Sequence, residues 1–381
     1  MAEQGENCLI AVAGHPTTVT NSTIAGIIDE TGTGAQIADV FGAVAGVQGL
    51  LEGKMVDMGA QKRKTIEGLR RTPGSVLAGR HRLFGAGEAT ALIEVLRANE
   101  IGVLFMLGGL PAIGLLRYFI EAAAQADYPL LALGIGLSAE NDVAAGDHTP
   151  GYGSAARFAA GAARDAGRAA ASDEEPLLVF ECLGAQTGWL AAATALARDA
   201  HNPAPHAILV PERPVALETL VEDLQRAYHK YGYVVAVTTE GAQDTSGNAL
   251  DGPALTAILS KRLNIAGRYD RPGSLARVGQ AAVARADADN AYNVGSLAVR
   301  LAGDECSGYV VTVQRDAQGG ERGDKGYKSV EGTARLEQVG DGPRLLPAEY
   351  ITDNGTNVTE EFLDWARPLI GGALPEYSAL D

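Results

Sequence analysis

The chain has 381 residues, is 46% hydrophobic and 20% charged, and carries a formal net charge of −16. That length suggests two or three lobes, and the composition is that of a globular enzyme. The acidic balance argues against a nucleic-acid surface, which needs basic stripes to neutralise phosphates, but it leaves room for a small anion held by a local arginine cluster. No run of about 18 apolar residues predicts a membrane span. The N-terminus from Met1 to Glu6 is acidic and runs straight into an apolar stretch, so it does not read as a signal peptide. Cys8, Cys182 and Cys306 lie far apart, which fits a reducing compartment and a cytoplasmic location.

Apolar runs alternate with helical stretches along the chain. Residues 8–13 read as a strand opening into a Gly/Thr/Asn loop, and 22–30 have helical spacing. Residues 101–107 read as a buried strand ending in Gly108-Gly109, with a helix from about Ala112. Further strands are expected at 128–135, 177–182, 206–210 and 233–238. Residues 155–172 and 217–231 read as helices, and 318–324 as a Gly-rich charged loop. Arg157, Arg164 and Arg168 share one face of the first of these helices, and a solvated face is the simplest expectation. Short apolar runs separated by helices imply βαβ units and parallel sheets, whose ligands gather at the carboxyl ends of strands.

Three groups of residues could carry chemistry. Gly108-Gly109 could cradle a phosphate against a helix N-terminus, although a plain tight turn fits the same residues. Glu140 and Asp142, after the glycine turn at 134–136, could hold a metal or take a proton from a hydroxyl; an exposed acidic turn is the alternative. Arg80 and Arg82, and separately Arg268, Arg271 and Arg277, suit bidentate phosphate binding, or equally surface ion pairs. The six histidines show no metal-ligand spacing.

In order along the chain, these segments resemble the phosphofructokinases, specifically a pyrophosphate-dependent branch. The stretch GIGLSAENDVAAGDHTPGYGS (134–154) is similar to that family's PKT-hydrophobic-DND and PGFGS segments. ECLGAQTGWLA (181–191) resembles its EVMGRHAGW segment, and Pro211-Glu212 its PE pair. Tyr231 to Ala242 and Arg268 to Arg277 resemble its KYGY…SEGA and RYDK…QR segments, and the tail from Leu346 to Ile370 its C-terminal extension. The resemblance implies an α/β fold of two Rossmann-like lobes with parallel-rich sheets. Residues 1–147 would form the donor-side lobe and 148–260 the phosphosugar lobe, with 261–381 returning to the first lobe and adding an extension. It also implies a site between lobes, completed in a homo-oligomer. Asp142, Gly184, Glu212, Arg268 and Arg277 fall on phosphosugar positions; Arg80, with its neighbour Arg82, falls beside the transferred phosphate.

The departures concern the donor side. The family's magnesium aspartate and the second aspartate of pyrophosphate users fall on Leu110 and Pro111. The PKT lysine falls on Leu137, the MGR arginine on Ala185, and the glutamine before the last arginine on Ala276. The donor-side glycine pair reads Gly14-His15, and the base aspartate falls on Glu140, one methylene longer. Leu183 stands for methionine, and Pro176 stands where a basic residue is often found. Gly14, His15, Gly108, Gly109, Leu110, Pro111 and Leu137 would thus line a former donor site with an apolar wall, poorly suited to an anion. No cofactor is expected; magnesium stays open, but its usual aspartate is missing.

Three functions follow as expectations. The first is a repurposed enzyme that binds a sugar phosphate or a related phosphorylated metabolite and uses Glu140 and Asp142 for acid/base work. The second is a regulatory or sensor subunit in a hetero-oligomer with a competent kinase. The third is an active pyrophosphate-dependent 6-phosphofructokinase with an unusual site.

Overall fold

A computed structural model describes residues 6–33, 37–77, 86–172, 174–316, 327–375 and 377, with backbone only at 86 and 87. The chain divides into two compact units, Met1–Gly151 with Arg285–Pro343 and Tyr152–Ala284 with Arg344–Asp381. The chain therefore changes unit after Gly151, Ala284 and Pro343, and residues 261–381 are shared between both units.

The strands in chain order are β1 (Glu6–Val12), β2 (Ile37–Ala43), β3 (Met55–Asp57), β4 (Ile101–Gly108), β5 (Leu131–Gly136), β6 (Leu177–Cys182), β7 (Ala207–Ile208), β8 (Val234–Thr239), β9 (Gly267–Asp270), β10 (Tyr309–Arg315) and β11 (Ser329–Arg335). The first unit holds a seven-stranded sheet in the order β11-β10-β5-β4-β1-β2-β3. Its five central strands are parallel, and β3 and β11 close the edges antiparallel.

The apolar runs of β1 and β4 are continuous because both faces of these strands are covered. Leu9, Ala11, Leu104 and Met106 enter one core cluster; Ile10, Val12, Phe105 and Leu107 enter the other. That two-residue alternation is the pleat itself. Burying a side chain such as Phe105, fully enclosed, stabilises the sheet by about 2–3 kcal/mol. The chain runs from β1 outward to β2 on one side and through β4 and β5 on the other. The order reverses between β1 and β4, the place where a doubly wound sheet opens a crevice. The helix Arg285–Gly303 returns to this unit and packs on the helix Thr20–Thr31, with the Ser22 hydroxyl donating to the Ala288 carbonyl at 3.0 Å.

The second unit holds four parallel strands in the order β7-β8-β6-β9. Its C-terminal residues are tied down by aromatic packing. Trp189 lies 5.0 Å from Trp365 between ring centroids, Tyr350 and Phe362 join them, and the Trp189 indole N–H donates to the Arg344 carbonyl at 2.9 Å. The helix Leu217–Tyr231 has the expected bounds. The helix Tyr152–Ala170 departs in part from expectation: Arg168 is exposed, but Arg164 and Arg157 point into packed structure. Arg164 is buried in an ion pair with Asp199 and lies under the Tyr377 ring, and Arg157 donates to the carbonyls of Ile370 and Gly372. Arg157 thus supplies donors to carbonyls at the end of the short helix Arg367–Ile370 and just beyond it. The expected loop 318–324 lies outside the described residues.

His206 illustrates how the second unit constrains a titratable group. Its Nδ1 accepts the Val235 N–H at 3.0 Å, and Tyr231 stacks on the ring at 5.3 Å. Burial, with Arg198 adding repulsion, pushes the imidazole down to about 4. A depressed folded value gives stability that is present above the unfolded value near 6.5 and lost as pH falls toward 4. The drop in thermal midpoint between pH 7 and pH 4.5 should therefore be smaller in His206→Asn than in the natural chain, measured by calorimetric melting.

Candidate functional site

At the carboxyl end of β4, Gly108 has φ +144. A Cβ there would stand 2.1 Å from the Ala13 carbonyl oxygen, so only glycine lets β4 and the loop after β1 meet this closely. Gly109 then caps the helix Leu110–Gln125. That helix begins with Pro111 in its first turn, so one of the N–H groups that a helix start can offer an anion is missing. The Pro111 ring lies over Gly14: a Cβ on Gly14 would be 3.5 Å from the proline Cγ. Leu110 and Pro111 are partly exposed, and His15, next to Gly14 in sequence, is exposed. Neither the Leu110 nor the Pro111 side chain carries an oxygen that could bind a cation. Leu137 does not belong to this surface. It is 1% exposed and packs in the apolar cluster with Phe105 and Ile135, while its N–H donates to the Gly108 carbonyl at 2.9 Å. The expected apolar wall therefore shrinks to Leu110 and Pro111, because the strand direction after β5 turns Leu137 into the core.

The carboxylate turn follows β5. Asn141 sits at its centre, fully buried, with a left-handed φ of +56. Its side-chain oxygen accepts the Thr149 N–H at 2.9 Å and the Thr149 hydroxyl lies at 3.2 Å. Ser138 bridges back to Gly151, and its N–H donates to the Pro150 carbonyl at 3.1 Å. The Ser138 hydroxyl accepts the Glu140 N–H at 3.2 Å and reaches the Glu140 carboxylate at 3.4 Å. Asp142 lies against the glycine turn: a Cβ on Gly109 would be 3.3 Å from its Oδ1. The turn thus presents Glu140 and Asp142 from a rigid base, beside Gly109. Beyond it, His148 is buried between Asp147, 3.1 Å from its Nδ1, and Asn290, 3.3 Å from its Nε2. Among the described residues, no three His, Cys, Asp or Glu side chains are grouped to hold a metal ion.

In the second unit the carboxyl end of β6 leads to Gly184, whose N–H donates to the Glu240 carboxylate at 2.9 Å. Glu181, 2% exposed, accepts the Gly252 N–H at 2.6 Å and pairs with Arg271 Nε at 2.9 Å. Arg271 also pairs with Glu240. Glu212 accepts the N–H groups of Gly188 at 3.0 Å and Leu346 at 2.8 Å.

The phosphofructokinase family profile matches residues 7–302. The chain belongs to the phosphofructokinase family. It is 30% identical to the pyrophosphate–fructose 6-phosphate 1-phosphotransferase of Rhodospirillum rubrum, covering 97% of this chain and 95% of that protein. It is 32% identical to the sulfofructose kinase of Alkalicoccus urumqiensis over 90% of this chain and 91% of that one. Its fold superposes on the pyrophosphate-dependent phosphofructokinase of Nitrosospira multiformis with a TM-score of 0.89, at 26% identity over 98% and 94% of the two chains. The α/β fold with parallel-rich sheets is that of the phosphofructokinases.

Of the residues singled out in the sequence, Gly14, Gly108, Gly109, Pro111 and Asp142 come together in the first unit. Gly184 and Glu212 lie in the second unit with Arg277, half-buried on the short helix Leu275–Val278. Arg268 stands apart from Gly184. It pairs in register with Leu178, four residues before Cys182, or about 13 Å down the strand, and its guanidinium is 3.8 Å from Glu175. Arg271, three residues on, is the arginine that reaches Glu181 and Glu240. Arg80 and Arg82 lie outside the described residues. Sequence reasoning gave no role to Ser138, Asn141 or Thr149. The eight-residue interval between Asn141 and Thr149 carries no periodic signal, and only the hydrogen bond reveals it.

Because Asn141 combines a left-handed backbone with two buried hydrogen bonds, Asn141→Ala should cost about 3 kcal/mol. Thr149→Val should cost about 1 kcal/mol. Urea unfolding midpoints would show the two effects in that order.

Proposed function

We propose that this phosphofructokinase binds a phosphosugar and does not run ordinary magnesium–pyrophosphate phosphoryl transfer at the turn after β4. The observation that carries the reading is Pro111, which removes a backbone donor and covers Gly14. Phosphoryl transfer rests mostly on charge neutralisation and positioning. A helix start with one fewer N–H, flanked by Leu110, supplies little of either to a highly charged donor. Glu140 keeps a carboxylate where a hydroxyl proton must be accepted, and Ser138 holds its main chain. The fold then serves another reaction, with Glu140 as base and Asp142 orienting the phosphosugar. A homo-oligomer is part of the proposal, because Arg268 lies too far down its sheet to reach a ligand at Gly184 of the same copy.

A second reading is an active pyrophosphate-dependent fructose 6-phosphate kinase. The intact turn from Ser138 to Thr149 and the full-length likeness to the Rhodospirillum rubrum enzyme favour it.

Titration calorimetry with fructose 6-phosphate and with pyrophosphate, each with and without magnesium, separates the two. The expected result is phosphosugar binding, with weak pyrophosphate binding that magnesium does not change. The double variant Leu110→Asp/Pro111→Gly should gain at least about tenfold in magnesium-dependent pyrophosphate affinity, since it restores one carboxylate and one N–H. Tight, magnesium-dependent pyrophosphate binding by the natural chain would establish the second reading instead.

A further inference from the structure

Close to Gly184 in the chain, the second unit holds a small recess with free space of about 10 Å³, room for one small group. Its lining includes Phe180, Cys182, Leu183, Leu190 and Ala276. These five are each 8% exposed or less. No lining side chain offers a strong hydrogen-bond donor or acceptor; the one heteroatom is the Cys182 sulfur. Burial, with Glu181 and Glu240 nearby, raises the pKa of that thiol and keeps it neutral. The recess is nonetheless continuous with polar elements. Leu183 precedes Gly184, whose N–H is fixed by Glu240, and Ala276 precedes Arg277 on the same short helix. Pro272 and Gly273 at its rim follow Arg271, which two carboxylates hold in place.

We propose that this recess is a specificity subsite that takes a methyl-sized, apolar substituent of the phosphosugar, so that the chain prefers a deoxysugar phosphate over its hydroxylated parent. The inference rests on the phosphosugar reading above. A hydroxyl placed in the recess would lose its water without gaining a partner, whereas a methyl or methylene group would lose nothing. A substrate anchored by charge at one end and sorted by an apolar pocket at the other is the usual division of labour in a small-molecule site. Ala276 is the residue that keeps the pocket open, since a longer polar side chain there would enter it.

The test is titration calorimetry of the full chain with fructose 6-phosphate and each of its monodeoxy analogues, repeated on Ala276→Gln. One analogue should bind about tenfold tighter than the parent, a difference of about 1.4 kcal/mol. That preference should shrink severalfold in Ala276→Gln. Binding of all phosphosugars with the parent tightest would overturn the subsite and leave the phosphosugar reading standing. Failure of every phosphosugar to bind would overturn both. The panel on the natural chain decides the matter even if Ala276→Gln does not fold.

Discussion

The candidate-site loops of this chain are fixed by main chain pressing on main chain. At Gly108 a Cβ would come within 2.1 Å of the Ala13 oxygen, and at Gly184 within 2.3 Å of the Thr187 oxygen. Both glycines have strongly positive φ. No other residue fits those contacts, so the paths of the two loops are set by backbone sterics. The side chains that follow them, Leu110 and Pro111 in one unit and Ala185 in the other, take no part in holding the path. Close superposition on a pyrophosphate-dependent relative therefore reports the loop paths and not the side chains they carry.

The two strand ends differ in how they deal with charge. The turn after β4 is short of donors, because proline stands where a helix could offer an N–H. The turn after β6 has its charges matched internally: Arg271 is shared between Glu181 and Glu240, and the same carboxylates take up the N–H groups of Gly252 and Gly184. A matched network of this kind holds backbone in place at little cost in desolvation, since each carboxylate has both a cation and an N–H. It is suited to presenting a fixed loop to a ligand.

The strands and helices that build the sheets were largely legible in the sequence, because β1, β4, β6 and β8 are buried runs bounded by glycine or polar turns. The short β7 was expected to be longer, and β10 and β11 gave little signal, since their alternation mixes Thr, Gln and Glu with valine. The glycine turn and the carboxylate pair were legible as motifs. What escaped was side-chain destination. Arg268 and Arg271 are three residues apart and look alike in sequence, but the parallel register of β9 on β6 puts one beside Leu178 and lets the other reach Glu181. Arg164 looked solvated and is buried on Asp199, because the partner is 35 residues away. Contacts of that kind depend on register and on chain returns, neither of which has a local period.

Leu137 decides which part of the donor side could ever carry charge. It sits 1% exposed among Phe105, Leu107 and Ile135. A lysine there would bury an ammonium in an apolar cluster, which costs several kcal/mol unless the chain can reach outward. Its N–H is already committed to the Gly108 carbonyl, so the backbone at 137 cannot turn to help without releasing the glycine turn. Charge on this face is consequently left to Asp142, which lies against Gly109, and to whatever stands at positions 110 and 111. These two positions lie at the start of a helix, where a carboxylate would be welcomed by the dipole and where proline is tolerated because its N–H is one the helix does not need. Proline in this first turn is thus a residue the fold accepts without strain.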